Sequence, residues 1–281
     1  MNIAIIGIGL IGGSLALSLR GFETHIIGVD INKKNSEEAL KLNLVDEILP
    51  LEQAVKKANL VILAIPVDSA RKLLPIVLDN INENTVVADM GSTKDGICSA
   101  VSNHPSRKNY VATHPIAGTE NSGPSAAFSG LFKNKTTIIC EKEKSADFAI
   151  NLVEKMFNLL EMNIIYMQAN EHDRHIAYVS HISHITSFVL GITVLGIEKD
   201  EKKIFNMAGS GFASTVRLAK SSPDMWAPIF EQNAENISVA LDAYINNLQS
   251  FKNIINKQDT KQARKLMKQA NDIRRILSGI E

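Results

Sequence analysis

The chain has 281 residues, of which 45% are apolar, and its 30 Lys and Arg residues balance 30 Asp and Glu residues. Zero net charge argues against a general nucleic-acid binder, which needs surplus positive charge, and against attachment to an anionic membrane surface. The length suits one large or two ordinary domains, and two cysteines are too few for a disulfide framework, so we expect a cytoplasmic protein.

Residues 1–19 carry no charge and could be taken for a membrane span or a signal peptide. Gly7, Gly9, Gly12 and Gly13 interrupt the run, and no basic segment precedes its apolar stretch. We therefore expect buried structure of a soluble domain in this region.

The first half of the chain alternates apolar runs with helical patterns. Strands are predicted at Asn2–Ile6, His25–Val29, Leu60–Ala64, Thr85–Ala88, Tyr110–Ala112 and Thr136–Cys140. Helices are predicted at Ser14–Arg20, Ser36–Leu42 and Ser69–Asn80. The strand runs are mostly continuous, as in parallel strands that are buried on both faces. The alternation predicts an α/β domain with a Rossmann-type, doubly wound parallel sheet.

After about residue 165 the pattern becomes helical. Asn163–Met167 is one last candidate strand. Helices are predicted at Glu171–Gly196, Lys199–Met207, Ser222–Leu248 and Thr260–Leu277, with Pro223 in a first turn and Asp259 or Thr260 as a cap. We predict two domains, residues 1–166 and an all-α domain at 167–281. Residues 251–281 carry a net charge of +5, which we interpret as a solvated helix face in preference to a polyanion contact.

The sequence after the first predicted strand is typical of a nucleotide-binding turn. Gly7, Gly9 and Gly12 form a GxGxxG motif between a strand and a helix, where they permit a tight turn, close approach of a pyrophosphate and close helix–strand packing. Asp30 ends the second strand, where an acid binds both ribose hydroxyls and repels a 2′-phosphate, so NAD is favoured. The predicted cofactor-binding residues are Gly7, Ile8, Gly9, Leu10, Ile11, Gly12 and Asp30, with Ala64, Ile65 and Pro66 at the end of another strand.

Two segments that follow predicted strands carry candidate chemistry. Ser92 and Lys94, in Asp89-Met-Gly-Ser-Thr-Lys, are expected to project into the cofactor crevice, although the segment taken alone is better explained as a polar turn. His114 begins the segment His-Pro-Ile-Ala-Gly-Thr-Glu, and a histidine there can take a proton during alcohol oxidation. A surface His-Pro turn is the alternative interpretation.

Four histidines lie within thirteen residues of the helical half, at His172, His175, His181 and His184. His181 and His184 share a helix face, whereas His175 and His184 lie on opposite faces, so we expect no metal site. Arg217 suits bidentate capture of a carboxylate, and a surface arginine is the alternative.

Together these motifs resemble the prephenate/arogenate dehydrogenase family of tyrosine biosynthesis. The resemblance rests on GxGxxGGS, Asp89-Met-Gly-Ser-x-Lys, His114-Pro-Ile-Ala-Gly-Thr-Glu, His172-Asp, Ser180-His-x-x-His184 and Arg217-x-Ala-x-Ser-x-Pro-x-Met-Trp226, in that order. It implies NAD-dependent oxidative decarboxylation of prephenate to 4-hydroxyphenylpyruvate, with a homodimer formed through the helical domain.

The resemblance also implies site roles. His114 would accept the proton of the ring hydroxyl, and Ser92 would orient His114 and that hydroxyl. Arg217 and His184 would hold the substrate carboxylates, with Ser180 and Glu120 also at the substrate. The chain has Gly-Phe-Ala213-Ser214 where the family often has Gly-Phe-Arg-Asp, so an acid that would pair with Arg217 is missing at Ser214. Expectations about gating and tyrosine inhibition therefore do not carry over.

Three alternatives remain. The first is an arogenate dehydrogenase, which differs at the substrate side chain. The second is another two-domain dehydrogenase or imine reductase, such as a β-hydroxyacid dehydrogenase, which usually relies on a lysine in its helical domain. The third is a catalytically inactive nucleotide-sensing protein, against which the set Ser92, His114, His184 and Arg217 argues.

Overall fold

The computed structural model of the chain describes residues 1–198 and 204–277. Its strands are β1 (Asn2–Ile6), β2 (His25–Val29), β3 (Glu47–Ile48), β4 (Leu60–Leu63), β5 (Val86–Asp89), β6 (Tyr110–Pro115), β7 (Thr136–Cys140) and β8 (Asn163–Met167). They form one sheet in the order β3-β2-β1-β4-β5-β6-β7-β8. The first six strands have the order of a Rossmann sheet, which confirms the predicted α/β class.

The sheet departs from the predicted all-parallel arrangement at one pair. β7 runs antiparallel to β6, whereas β8 is parallel to β7. Residues 116–135 connect β6 to β7 with only a 3₁₀ turn at Pro124–Ala126 and no α-helix. A parallel connection usually passes through a helix packed on the sheet, and without an α-helix here the chain returns beside β6 in the opposite direction.

Helices cover both faces of the sheet. They are α1 (Leu10–Leu19), α2 (Lys33–Lys41), α3 (Leu51–Lys57), α4 (Val67–Asn80), α5 (Asp95–Ala100) and α6 (Asp147–Leu159). Along β1, Ile3 and Ile5 join a buried cluster with α1, α2 and α6, whereas Ala4 and Ile6 join one with α3, α4 and α5. The uncharged N-terminal run is therefore a core strand and helix, as predicted.

Helices dominate the remainder of the chain. They are α7 (Ala169–Ile176), α8 (Ile182–Glu198), α9 (Ser210–Val216), α10 (Pro223–Gln232), α11 (Ala234–Asn256), α12 (Thr260–Ala270) and α13 (Arg274–Leu277). A π-helical turn at Ala177–His181 joins α7 to α8, and 3₁₀ turns occupy Ile204–Met207, Arg217–Lys220 and Asn271–Ile273. Within the described residues no strand follows β8.

The predicted helix ends are confirmed in part. Pro223 is in the first turn of α10, and Asp259 caps α12 by accepting a hydrogen bond from the backbone N–H of Gln262. The predicted helix Lys199–Met207 falls partly on residues 199–203, which lie outside the described residues. The predicted helix Ser222–Leu248 is two helices in the structure, because α10 ends before Asn233 and α11 begins after it.

The chain divides into two compact units, Met1–Ala234 and Glu235–Glu281. Within the first unit, α7 packs against α5 and α10 packs against α4. Those helices therefore belong with the sheet by packing, and the domain boundary after residue 166 stays a prediction. The basic side chains between residues 251 and 276 are exposed, as a solvated helix face requires.

One helical stretch in the described part of the chain, residues 169–197, is long and apolar enough to cross a membrane by length and composition alone. Only 11% of its most apolar window is buried within the protein. An apolar stretch of this kind needs cover, whether from lipid or from protein.

Candidate active site

The glycine turn between β1 and α1 has the backbone of a nucleotide cradle. Gly7 has a φ of +91°, which favours glycine, and a Cβ on Gly12 would lie 1.9 Å from the carbonyl oxygen of Gly7. By contrast, a Cβ on Gly9 would meet no atom within 4 Å. Gly9 therefore faces open space, at the N-terminus of a helix that no side chain caps among the described residues.

Asp30 lies beside this turn at the carboxyl end of β2. Its carboxylate accepts a hydrogen bond from the backbone N–H of Ile8 at 3.0 Å and another from that of Asn32 at 2.8 Å. A Cβ on Gly7 would contact the carbonyl oxygen of Ala64 and the Ile65 side chain, so these residues also adjoin the turn. The structure thus brings together most of the predicted cofactor set, and Pro66 follows as the residue before α4.

His114 lies near the carboxyl end of β6 and leads a chain of buried polar side chains. Its Nδ1 atom is 2.8 Å from Nε2 of His172, and Nδ1 of His172 is 2.7 Å from Oδ1 of Asp173. His172 and Asp173 lie on α7, so this chain joins the sheet to the helical region. Among the described residues, Nε2 of His114 has no hydrogen-bond partner and is the nitrogen left for a ligand.

Backbone groups hold Asp173 in place. The N–H of Lys94 donates to Oδ1 at 2.7 Å, and the N–H of Asp95, at the start of α5, donates to Oδ2 at 3.0 Å. The Asn233 side chain donates to the carbonyl oxygen of Asp173 at 2.7 Å. A carboxylate that accepts from several N–H donors is fixed in position.

The side chain of Lys94 does not project into the crevice, contrary to the sequence prediction. It is fully buried, and its Nζ atom donates to the Asp89 carboxylate and, at 2.8 Å, to the carbonyl oxygen of Thr113. Asp89 also accepts from the hydroxyl of Tyr110 at 2.7 Å. A buried ammonium needs a charged partner, and Asp89 supplies it, so Lys94 ties the ends of β5 and β6 together behind His114.

Burial sets the protonation state of the two joined histidines. It lowers the pKa of His114 well below its usual range, and repulsion from His172 and the Lys94 ammonium acts in the same direction. Burial also lowers the pKa of His172, although the hydrogen bond to Asp173 opposes this effect. Both imidazoles are therefore neutral near pH 7, and His114 is able to accept a proton.

His181 and His184 both contact Trp226, as side chains on one helix face are able to do. The His184 ring stacks on the indole at 3.6 Å between centroids, and the His181 ring meets it edge-on at 5.8 Å. Burial lowers the pKa of His184 and lowers that of His181 to about 4. Within the described residues, no group of three or more His, Cys, Asp or Glu side chains has a metal-binding arrangement.

Arg217 opens the 3₁₀ turn after α9, and this turn packs against α8. Its Nη1 atom lies 3.4 Å from Oε2 of Glu120, and both side chains are accessible to solvent. The Arg217 charge also contributes to lowering the pKa of His184. The structure therefore groups Arg217, Glu120 and His184, whereas Ser214 is exposed. Ser180 contacts His184 through its carbonyl oxygen at 3.1 Å, not through its hydroxyl.

Ser92 makes no hydrogen bond to His114 within the described residues, and the residue bonded to His114 is His172. The orienting role assigned to Ser92 stays a prediction. His172-Asp173 stood out in the sequence without a predicted role, and Asp89 and Asn233 were not predicted as partners in the site. A charged residue that ends the apolar strand β5, five residues before a lysine, was the available signal for the Asp89–Lys94 pair.

Comparison with known proteins identifies the family. Residues 14–166 match the family model described as "Prephenate dehydrogenase, nucleotide-binding domain", and residues 168–269 match "Prephenate dehydrogenase, dimerization domain". The chain belongs to the prephenate dehydrogenase family. The resemblance inferred from the motifs is thereby confirmed.

Individual members of the family are similar over nearly the whole chain. A prephenate dehydrogenase of Bacillus subtilis is 30% identical over 280 residues, which cover 97% of this chain and 75% of the relative. A cyclohexadienyl dehydrogenase of Zymomonas mobilis is 29% identical over 287 residues, covering 97% and 98%. The crystal structure of A. aeolicus prephenate dehydrogenase with hydroxyphenyl propionate and NAD⁺ superposes with a TM-score of 0.90 at 31% identity, covering 99% and 98%.

Proposed function

We propose that the chain catalyses the NAD-dependent oxidative decarboxylation of prephenate to 4-hydroxyphenylpyruvate in tyrosine biosynthesis. The observation that carries this proposal is the position of His114, in a protein that belongs to this family. His114 is neutral and buried at the carboxyl end of β6, and its Nδ1 atom is hydrogen-bonded to His172. Ligands bind beyond the carboxyl ends of the strands in this kind of sheet. His114 is thus placed where a base for alcohol oxidation is needed.

The residues present fit NAD. The open space at Gly9 and the N-terminus of α1 suit a pyrophosphate, and the Asp30 carboxylate suits the two hydroxyls of an unphosphorylated ribose. The A. aeolicus prephenate dehydrogenase structure is a complex with NAD⁺. When bound, NAD⁺ supplies the hydride acceptor for the reaction.

His114 acts as the base in the proposed reaction. Its Nε2 atom accepts the proton of the ring hydroxyl while hydride leaves the ring carbon that carries this hydroxyl. The bond from the ring to its carboxylate then breaks, carbon dioxide leaves, and the electron pair of that bond completes the aromatic ring. His114 returns its proton to the ring oxygen, so the step consumes no net proton. Proton transfer of this kind typically contributes 10²–10⁴-fold to a rate.

Cationic and hydrogen-bonding groups near Arg217 suit a substrate with two carboxylates. Arg217 pairs with an accessible carboxylate, Glu120, which a substrate carboxylate is able to replace. We assign substrate binding to Arg217 and His184, with Ser180 and Glu120 beside them, and Ser92 to the orientation of the reacting hydroxyl. Because the chain has zero net charge, the groups that bind the two substrate carboxylates must be concentrated at the site.

We further propose that the protein is a cytoplasmic homodimer. The residues that match the family's dimerization domain include α8, whose Val189, Ile192 and Leu195 are more than half exposed. The same helical stretch carries His172 and Asp173, which are buried in the site and hydrogen-bonded to it. Because these polar contacts fix the start of the helical stretch within the protein, we infer that a second copy of the chain, and not lipid, contacts its apolar face.

A direct assay tests the proposed activity. The purified protein is mixed with prephenate or arogenate, each with NAD or NADP, and NADH or NADPH absorbance is followed. We expect the fastest signal with prephenate and NAD, together with release of carbon dioxide. A preference for arogenate would identify the alternative substrate, and no signal in any combination would contradict an enzymatic role.

A further inference from the structure

His172 lies between His114 and Asp173 and has no part in the proton transfer described above. All three side chains are buried, with exposed fractions of 8% for His114, 1% for His172 and 2% for Asp173. The two hydrogen bonds that join them measure 2.8 Å and 2.7 Å. Their direction determines which nitrogen of His114 carries its proton.

The direction follows from Asp173. Its carboxylate already accepts backbone N–H groups from Lys94 and Asp95, so it acts as an acceptor toward Nδ1 of His172 as well. A neutral imidazole has one N–H donor and one bare nitrogen. With its proton on Nδ1, His172 presents a bare Nε2 atom, which can only accept a hydrogen bond.

We propose that His172 and Asp173 are positioning residues that hold His114 with its proton on Nδ1 and its lone pair on Nε2. This inference rests on the proposed role of His114 as the base. A base with its lone pair turned toward His172 would present an N–H group to the substrate hydroxyl and would be unable to take its proton. When Nε2 becomes protonated in turnover, Nδ1 still donates to His172, and the Asp173 charge stabilises the cation.

A purely structural role for His172 makes a different prediction. His172 helps to hold the Asp173 carboxylate, which accepts the N–H groups of Lys94 and Asp95 and so ties α7 to the start of α5. That tie alone would fix the shape of the site without any effect on the tautomer. The variants His172→Asn and His172→Gln separate the two roles. Asparagine places a donor near the Nδ1 position and keeps the Asp173 bond, whereas glutamine places an acceptor near the Nε2 position and keeps the bond to His114.

The experiment measures the tautomer and the turnover separately. The ring nitrogens are observed by ¹⁵N NMR of histidine-labelled holoenzyme, and the His114 signals are assigned from their loss in His114→Asn. We expect a protonated Nδ1 and a bare Nε2 in the wild type and in His172→Gln. We expect His172→Asn to lose this preference and to lose about 100-fold or more in kcat, with His172→Gln within about tenfold of wild type.

Controls keep the outcome decisive. NAD affinity and Tm show whether each variant is folded. The wild-type ¹⁵N spectrum identifies the tautomer of His114 even if a variant fails to fold. A wild-type His114 with its proton on Nε2 would overturn the inference, as would a folded His172→Asn with wild-type kcat. Absence of prephenate turnover in the wild type would instead contradict the proposed function and leave the NMR result to judge the tautomer.

Discussion

Burial, more than a nearby charge, governs the titration of the site histidines. Desolvation is the largest cause of the lowered pKa at His114, His172, His181 and His184. A neutral imidazole is what proton acceptance requires, so the same burial that packs the site also prepares its base. The carboxylate of Asp173 lies one residue further along this hydrogen-bonded chain, where it accepts from His172.

Replacing His114 by Asn tests its role. Asparagine is able to keep the contact to His172 made by Nδ1 but has no group at the Nε2 position. We expect kcat to fall about 10²–10⁴-fold and the Kd for NAD to change less than about twofold, measured by NADH absorbance and by titration of the cofactor. His175→Asn, at an exposed position on α7, is the matched control and should retain activity. Unimpaired turnover of His114→Asn would refute the assignment.

The buried histidines also predict how stability depends on pH. The pKa of His181 is about 4 in the folded protein, whereas an unfolded histidine has a value near 6.5. Between these values the unfolded chain binds a proton that the folded chain does not, so stability is full above pH 6.5 and is lost as pH falls toward 4. This residue alone contributes up to about 1.4 kcal/mol per pH unit in that window.

Urea unfolding at intervals between pH 7 and pH 4.5 measures this dependence. We expect the free energy of unfolding to fall steadily below pH 6.5 and the fall to be shallower in His181→Gln, because one proton-binding difference is removed. A variant at an exposed position without an ionisable group, Gln53→Ala, should leave the slope unchanged. Equal slopes in His181→Gln and wild type would show that His181 is not held neutral by the fold.

At the scale of elements, local and distant interactions differ in how well the sequence reveals them. β1, β2, β7 and β8 end where the apolar runs predict, because the apolar residues that form each strand are consecutive in the sequence. The glycine turn is equally local. The His114–His172 bond spans 58 residues, and the bond from the Lys94 backbone to Asp173 spans 79. Such contacts depend on how α7 packs against α5, which no local pattern specifies. Lys94 differs, because it turns inward toward Asp89, only five residues earlier, and the sequence pattern could have indicated that contact.

The glycine turn offers a matched pair of substitutions. In Gly12→Ala the new methyl group would overlap the carbonyl oxygen of Gly7, so we expect a loss of stability of several °C in Tm. In Gly9→Ala the methyl group meets no protein atom and should leave Tm within about 2 °C of wild type. It occupies the space assigned to the pyrophosphate, however, and should weaken NAD binding at least about tenfold. Wild-type NAD affinity in a folded Gly9→Ala would place the cofactor elsewhere.

At the scale of the whole molecule, the most informative surface is an apolar face of α8 that lies open to solvent. The exposed apolar face of α8 is more than half accessible at Val189, Ile192 and Leu195, which are spaced three residues apart along one helix. Apolar surface of this kind is costly in water and marks a contact. Residues 168–269 match a dimerization domain, and the homodimer proposed above predicts that a second copy of the chain contacts this face.

Charged substitutions on this face should therefore separate the subunits. We expect the wild-type protein to remain in the supernatant of lysed cells without detergent and to sediment as a dimer in analytical ultracentrifugation. The double variant Val189→Glu/Ile192→Glu should sediment as a monomer, because each buried glutamate would have to shed its hydration. Ile76→Glu on α4, another position where an isoleucine is about half exposed, should remain dimeric. Recovery of the wild type only in the membrane pellet would indicate that lipid covers residues 169–197, and a dimeric double variant would place the subunit contact on another face.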